Sequence, residues 1–113
     1  MGFRVNKYNN IKTTVMGIKF DSKKEGARYL ELFMLQKAGQ ISNLELQKRF
    51  EICPKKYANK RARYYVADFV YVENGKKVIE DVKSKATQTP VFSLKWALMK
   101  VLYPEYEYRI YGE

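Results

Sequence analysis

The dipeptide Asn74-Gly75 constrains this chain more than any other feature. Asn-Gly between alternating apolar residues is the strongest short-range signal for a two-residue hairpin turn, because both positions accept the left-handed backbone such a turn requires. The surrounding stretch, Arg63 to Lys85, reads RYYVADFVYVENGKKVIEDVKSK. With Asn74 and Gly75 as the loop, Glu73 faces Lys76, and the same register carried along both strands sets Asp68 opposite Asp81. Alternation then places Val66, Asp68, Val70 and Val72 on one face with Lys77, Ile79, Asp81 and Lys83, and turns Glu80 to the other.

A mostly apolar face is one that becomes covered, yet this one carries two carboxylates whose β-carbons would lie about 4.5–5.5 Å apart. Burying an uncompensated carboxylate costs several kcal/mol or forces it to keep its proton. The pair therefore needs a cation between its members or a raised pKa, and a hard divalent ion, Mg²⁺ or Mn²⁺, suits oxygen donors of this kind. A pair of this sort can also be innocuous, with one aspartate at an exposed strand end and the other paired to Lys83. Asp81-Val82-Lys83 sets an ammonium two residues from a carboxylate on the same face. A metal that activates water beside a lysine that offsets developing phosphate charge is a hydrolytic combination.

The bulk properties narrow the chemistry. A chain of 113 residues, 46% of them hydrophobic, is long enough for one domain with a real core. Its net charge of +10 points to a polyanionic partner. No apolar run approaches the roughly 20 residues of a membrane span, and no secretory signal opens the chain, so an intracellular, cytoplasmic setting without membrane attachment is expected. Cys53 stands alone and histidine is absent, which excludes an internal disulfide, zinc fingers, and histidine-dependent triads or general bases. Catalysis would fall to carboxylates, lysine and metal.

Taken in order, residues 1 to about 20 read as a basic arm leading into a short hairpin near Val15, Gly17 and Ile18, with Lys7, Tyr8 and Lys12 able to touch phosphates or simply to be solvated. A helix is expected from about Ser22 to Lys37, capped by Asp21 or Ser22 and closed by Gly39, with Ala27, Leu30, Phe33 and Met34 as its main apolar stripe. Glu25 completes a capping box, and that alone accounts for it. Residues 41–53 alternate as a strand whose Gln47 either lines the site or, as expected, faces solvent. Lys55, Lys56, Lys60, Arg61 and Arg63 follow in a stretch without acids, a solubilising run in the plain reading and a phosphate-backbone clamp in the functional one. Beyond the central hairpin, Pro90 opens a second helix to about Leu102, with Val91, Leu94, Trp96, Ala97, Leu98, Val101 and Leu102 as its apolar residues and Lys95 and Lys100 outside them. Trp96 is expected in the core rather than as a base-stacking platform. Tyr106, Tyr108 and Ile110 make a closing strand. The order is αβββαβ, an α/β domain with a central mixed sheet flanked by helices, spanning 1–113.

Asp68, a short connection and then Asp81-x-Lys83 resemble the PD-(D/E)xK nuclease motif. The segments NKYNN, GIKFDSKKEGARYLEL, VADFVY and IEDVKS and the final helix with its KWAL stretch extend the likeness to the small phage and prophage members of that superfamily, over nearly the whole chain. Ala67 stands where the motif's proline precedes the aspartate. The resemblance implies a restriction-endonuclease-like αβββαβ core and Mg²⁺- or Mn²⁺-dependent hydrolysis of DNA. It implies that Asp68, Asp81 and Glu25 hold the metal, with the Val82 carbonyl as a further ligand, and that Lys83 positions the attacking water. It also implies action on branched DNA such as a Holliday junction, as a homodimer, in a bacterial host cell. The tyrosines Tyr103, Tyr106, Tyr108 and Tyr111 are the candidate dimer face. The competing expectation is a basic nucleic-acid-binding module that keeps the fold without turnover.

Overall fold

The computed structural model describes residues 12–112, so most of the basic arm, Lys7 and Tyr8 included, lies outside the described residues. In chain order the elements are β1 (Thr13–Val15), β2 (Ile18–Phe20), α1 (Lys23–Lys37), β3 (Ser42–Cys53), β4 (Arg63–Glu73), β5 (Lys76–Val82), a short 3₁₀ turn (Lys85–Thr87), α2 (Pro90–Leu102) and β6 (Glu107–Tyr111). From α1 onward the order matches the one read from the sequence. β3, β4, β5 and β6 lie side by side in one mixed sheet. β3 with β4 and β4 with β5 pair antiparallel, and β6 runs parallel to β5 after the α2 crossover. β1 and β2 form a separate hairpin.

The Asn74-Gly75 turn takes positive φ at both residues, 53° and 78°, as a tight hairpin of this kind requires. Glu73 pairs with Lys76 and the register holds to Phe69 and Glu80, where the ladder ends, so that Asp68 and Asp81 lie just beyond it and do not form the ladder pair expected. Two cores result, one on each face of the sheet. Tyr29 and Leu32 of α1 pack with Phe20, Phe69, Tyr71 and Val78. Trp96 and Met99 of α2 pack with Phe50, Tyr65, Val70 and Ile79.

The alternation in β4 is interrupted. Tyr65 and Ala67 pack on the α2 side together with Val70, whereas Phe69 and Tyr71 pack on the α1 side. Val66, expected beside Asp68 on the covered face, is exposed, and Tyr65 takes its place. Directly opposite Asp68 stands Gln47 of β3, between the pairs Leu46↔Phe69 and Lys48↔Ala67, with φ 53°. A left-handed non-glycine residue inside a strand costs of order 1 kcal/mol and cannot keep the regular pleat, so side chains are re-aimed at that level.

Both helices are rotated from the faces their apolar spacing suggested. In α1 the buried residues are Glu25, Gly26, Tyr29 and Leu32, while Ala27, Leu30 and Met34 are exposed. Ser22 caps the helix by accepting from the Glu25 backbone N–H, as expected. Gly26 lets the β1–β2 hairpin close on this face, since a Cβ there would lie 2.9 Å from the Val15 Cγ2 atom. The rotation is also held by charge: the Arg28 guanidinium donates to both oxygens of the buried Glu80 carboxylate at 2.7 and 3.0 Å, and the Tyr71 hydroxyl donates to Glu80 at 2.6 Å. In α2 the packed face is Phe92, Trp96 and Met99. Trp96 is core, as expected, with Phe92, Tyr65 and Tyr108 around it at ring separations of 5.3, 6.0 and 5.3 Å. An aromatic set buries more area than a Val/Leu stripe, which explains the choice of face. Lys95, expected outside the packed side, instead donates to the Tyr64 carbonyl at 3.0 Å.

The tyrosines of the closing segment, the candidate dimer face, are partly exposed and each is also engaged within the chain. The Tyr103 hydroxyl donates to the Glu51 carbonyl, and Tyr106 packs edge-on to Phe50. The Tyr108 hydroxyl lies within 2.8 Å of both the Met99 and the Tyr103 carbonyls, and Tyr111 donates to Glu31 beneath the Arg28 guanidinium.

Removing one partner of a buried ion pair leaves the other charge uncompensated, at a cost of about 3–5 kcal/mol. Arg28→Ala should therefore destabilise the protein by about that amount in urea unfolding. A loss below about 1 kcal/mol would show that Glu80 is adequately satisfied by Tyr71 and water.

Candidate active site and nucleic-acid interface

β4 and β5 separate after the Phe69↔Glu80 pair, and the opening is filled by polar groups rather than by further ladder bonds. The Asp68 carboxylate occupies it. Its Oδ2 accepts the Val82 backbone N–H at 2.9 Å, and its Oδ1 accepts the Gln47 side-chain amide at 3.3 Å. The same amide nitrogen donates to Glu25 Oε2 at 3.2 Å. Gln47 is exposed, as expected, and its amide also bridges two carboxylates, aimed there by its left-handed backbone.

Asp81 is buried on the α2 side, where the Tyr65 hydroxyl donates to its Oδ2 at 2.6 Å. Lys83 Nζ lies 3.9 Å from the same oxygen and 5.0 Å above the Phe92 ring. The structure therefore brings Glu25 from α1, Asp68 from β4 and Asp81 and Lys83 from the end of β5 into one electrostatic group, with Asp68 between the other two carboxyls. Burial, followed by the charge of Asp68, raises the Glu25 pKa to about 8. Burial, followed by the hydrogen bond and charge of Asp68, raises that of Asp81 to about 8, against the lowering effects of Lys83 and Tyr65. Of the two outcomes open to paired buried carboxylates, a counter-cation or retained protons, the metal-free protein takes the second.

The donor set fits a hard divalent ion in its chemistry: three carboxylates from three elements, with Val82, whose N–H meets Asp68, at the end of β5. Among the described residues no three His, Cys, Asp or Glu side chains are drawn into a preformed cage. Glu25 and Asp81 both interact directly with Asp68, while the Gln47 amide and the Tyr65 hydroxyl take up further carboxylate oxygens. Glu80 lies on the opposite face with Arg28, as the alternation of β5 implied, and takes no part.

The basic stretch forms a turn-rich loop ahead of β4, built on Tyr57 and Ala58 N–H groups donating to the Pro54 carbonyl. Lys55, Lys56, Lys60, Arg61 and Arg63 are all exposed, and none forms an ion pair among the described residues. Asn59, Lys60, Arg61 and Arg63 line a shallow depression of about 360 Å³. Arg63 begins the strand that carries Asp68 five residues on, about 16 Å along it. Among the described residues no helix is long and apolar enough to cross a membrane.

Tyr65 escaped the sequence reading, and Gln47 was a candidate for the site that was expected at the solvent instead. Tyr65 has no signal of its own, because its place beside Asp81 depends on the interruption in β4. Gln47 was visible by its position opposite Asp68, but an exposed glutamine in an alternating strand carries no mark of a left-handed backbone.

Fold and site together define a small α/β protein whose acidic cluster opens at the divergent end of a β-hairpin. A family model described as "Protein of unknown function (DUF1064)" matches residues 5–110, and the chain belongs to that family. No curated protein and no solved structure matches it.

The raised carboxyl pKa values give pH dependence a definite sign. Glu25 and Asp81 titrate near 4 in the unfolded chain and near 8 in the folded one. Between those values the folded state keeps protons that the unfolded state releases, so their stabilisation is full below about pH 4 and is lost as pH rises through about 8. In chelator, the Tm should fall from about pH 5 to about pH 8, and Asp81→Asn should flatten the profile. Added Mn²⁺ should raise the Tm more at about pH 8 than at about pH 6, since the ion competes with protons for the same oxygens. A wild-type Tm that climbs across this window in chelator would contradict the assignment.

Proposed function

We propose that the protein is a divalent-metal-dependent endodeoxyribonuclease of the PD-(D/E)xK type, acting on DNA in the cytoplasm of a bacterial host. The observation that carries this reading is the convergence of Glu25, Asp68, Asp81 and Lys83, from three separate elements, at the open end of the β4–β5 hairpin. The element order from α1 to β6 is the αβββαβ order of that superfamily and supports the same reading.

Glu25, Asp68 and Asp81, with the Val82 carbonyl, would hold Mg²⁺ or Mn²⁺, which when bound supplies Lewis acidity toward water and the phosphodiester. Lys83 stands at the edge of the acidic group, where its ammonium orients the attacking water and offsets charge developing on the phosphoryl oxygens. Tyr65 holds the Asp81 carboxylate in place through its hydroxyl, and Gln47 does the same for Glu25 and Asp68. The water oxygen adds to phosphorus, the bond from phosphorus to one sugar oxygen breaks, and that oxygen leaves with a proton, giving a phosphate monoester and a hydroxyl. The exposed cations of the 54–63 loop hold the backbone without reading bases. Branched DNA, the Holliday junction included, is the substrate that the likeness to small phage nucleases favours.

Asp68→Ala, Asp81→Ala and Lys83→Ala should each lower Mg²⁺-dependent cleavage by at least about 10²-fold while leaving DNA binding in place. Linear, nicked, single-stranded and four-way-junction DNA, each with and without Mg²⁺, form the assay. Retained cleavage in either aspartate variant removes the metal assignment, and binding without cleavage by the wild type leaves the non-catalytic module.

Replacing Lys55, Lys56 and Lys60 together with alanine should weaken binding to all sequences alike and reduce the salt slope by roughly 1 for each phosphate that is no longer neutralised. An unchanged slope in fluorescence anisotropy would return the loop to a solubilising role.

A further inference from the structure

α2 carries two apolar faces, and the described residues cover only one of them. Phe92, Trp96 and Met99 point into the core. On the other side Val91, Leu94 and Val101 are 63%, 62% and 75% exposed, with Leu98 and Leu102 exposed beside them. Spacings of three, four and three residues put Val91, Leu94, Leu98 and Val101 in one line along the helix, the seam of a coiled-coil pair.

We propose that this seam is the surface through which two copies of the chain associate, as an antiparallel α2–α2 pair about a two-fold axis. The seam is self-complementary: Val, Leu, Leu, Val reads the same from either end. A two-fold axis at the level of Trp96 lays Val91 on Val101 of the second copy and Leu94 on its Leu98, twice over, as an isologous contact requires.

Charge argues for this occupant over others. α2 contains no acid, and both of its lysines are drawn away from the seam. Lys95 donates to the Tyr64 carbonyl at 3.0 Å, and Lys100 lies 5.9 Å from the Trp96 ring, on the far side of the helix. A helix that lies on a membrane sets its lysines toward the headgroups, and an acidic partner needs cations beside the groove. This seam offers neither, and an uncharged, self-matching apolar line fits a second copy of itself. The largest apolar patch on a typical monomer is about 300–600 Å², below the roughly 800 Å² that each partner contributes to a standard interface, and one helix face belongs to that smaller class. The dimer is therefore reversible and concentration-dependent. Each copy carries +10, so mutual repulsion opposes association, and salt strengthens the dimer while weakening DNA binding.

Sedimentation velocity of the full chain over roughly 1–200 μM tests the idea. The wild type should pass from monomer to dimer, at lower concentration in high salt than in low. Leu94→Glu and Val101→Glu, at exposed positions, should stay monomeric over the whole range with an unchanged far-ultraviolet spectrum and Tm. In a Cys53→Ser background, mixing the Val91→Cys and Val101→Cys proteins should give the mixed disulfide in excess of either symmetric one. A wild type that stays monomeric throughout, a dimer that both glutamate variants retain, or symmetric disulfides in excess would each overturn the proposal. So would wild-type binding to phosphatidylglycerol vesicles that Leu94→Glu abolishes, because the seam would then be a membrane surface. None of these readouts uses cleavage, so the seam and the nuclease reading stand or fall separately.

Discussion

Glu80 and Asp81 are adjacent in β5, buried on opposite faces of one sheet, and each has to be compensated where it lies. The register set by the Asn74-Gly75 turn makes this unavoidable, because a strand of period two sends neighbouring side chains in opposite directions. The two solutions differ. Glu80 receives both arms of the Arg28 fork and the Tyr71 hydroxyl, a saturated arrangement that leaves little room for a ligand. Asp81 receives one tyrosine hydroxyl and a lysine at 3.9 Å, with Asp68 close enough to raise its pKa. The first carboxylate ties α1 to the sheet. The second is left wanting a cation, and that shortfall is what makes it a candidate for chemistry.

The same pair of demands organises the helices. Arg28 has to face the sheet to reach Glu80, and this turns α1 so that Glu25 and Tyr29 come inward and Leu30 and Met34 go out. Glu25 thereby reaches the Gln47 amide and the edge of the acidic group, carried there by a contact three residues further along the same helix. The structural ion pair and the candidate site are thus coupled through one rigid element. On the other face the aromatic set around Trp96 governs the rotation of α2, and the Val/Leu line is left exposed because one helix cannot direct both apolar faces at one sheet.

Strain is placed where the site is. Gln47 holds a left-handed backbone inside β3, opposite Asp68, in a stretch where glycine would have avoided the cost of order 1 kcal/mol. In return its amide donates to both Glu25 and Asp68, and β4 changes its facing so that Tyr65 can reach Asp81.

The sequence by itself determined the hairpin and its register as far as Phe69 and Glu80, the nearness of Asp68 and Asp81 beyond it, the separation of Glu80 from them, the cap at Ser22 and the order of elements from α1 to β6. These depend on local chemistry: turn residues that accept positive φ, alternation within a strand, and a side-chain oxygen at a helix start. Only the tertiary structure decided which face each helix buries, that Gln47 and Tyr65 belong to the site, that Lys95 turns inward, and that the closing tyrosines serve the chain itself. Each of those outcomes depends on partners far away in the chain, such as Arg28 with Glu80 or Trp96 with Tyr65. Apolar spacing within one helix cannot rank such partners, because α2 has two apolar faces and the energy that chooses between them belongs to the sheet.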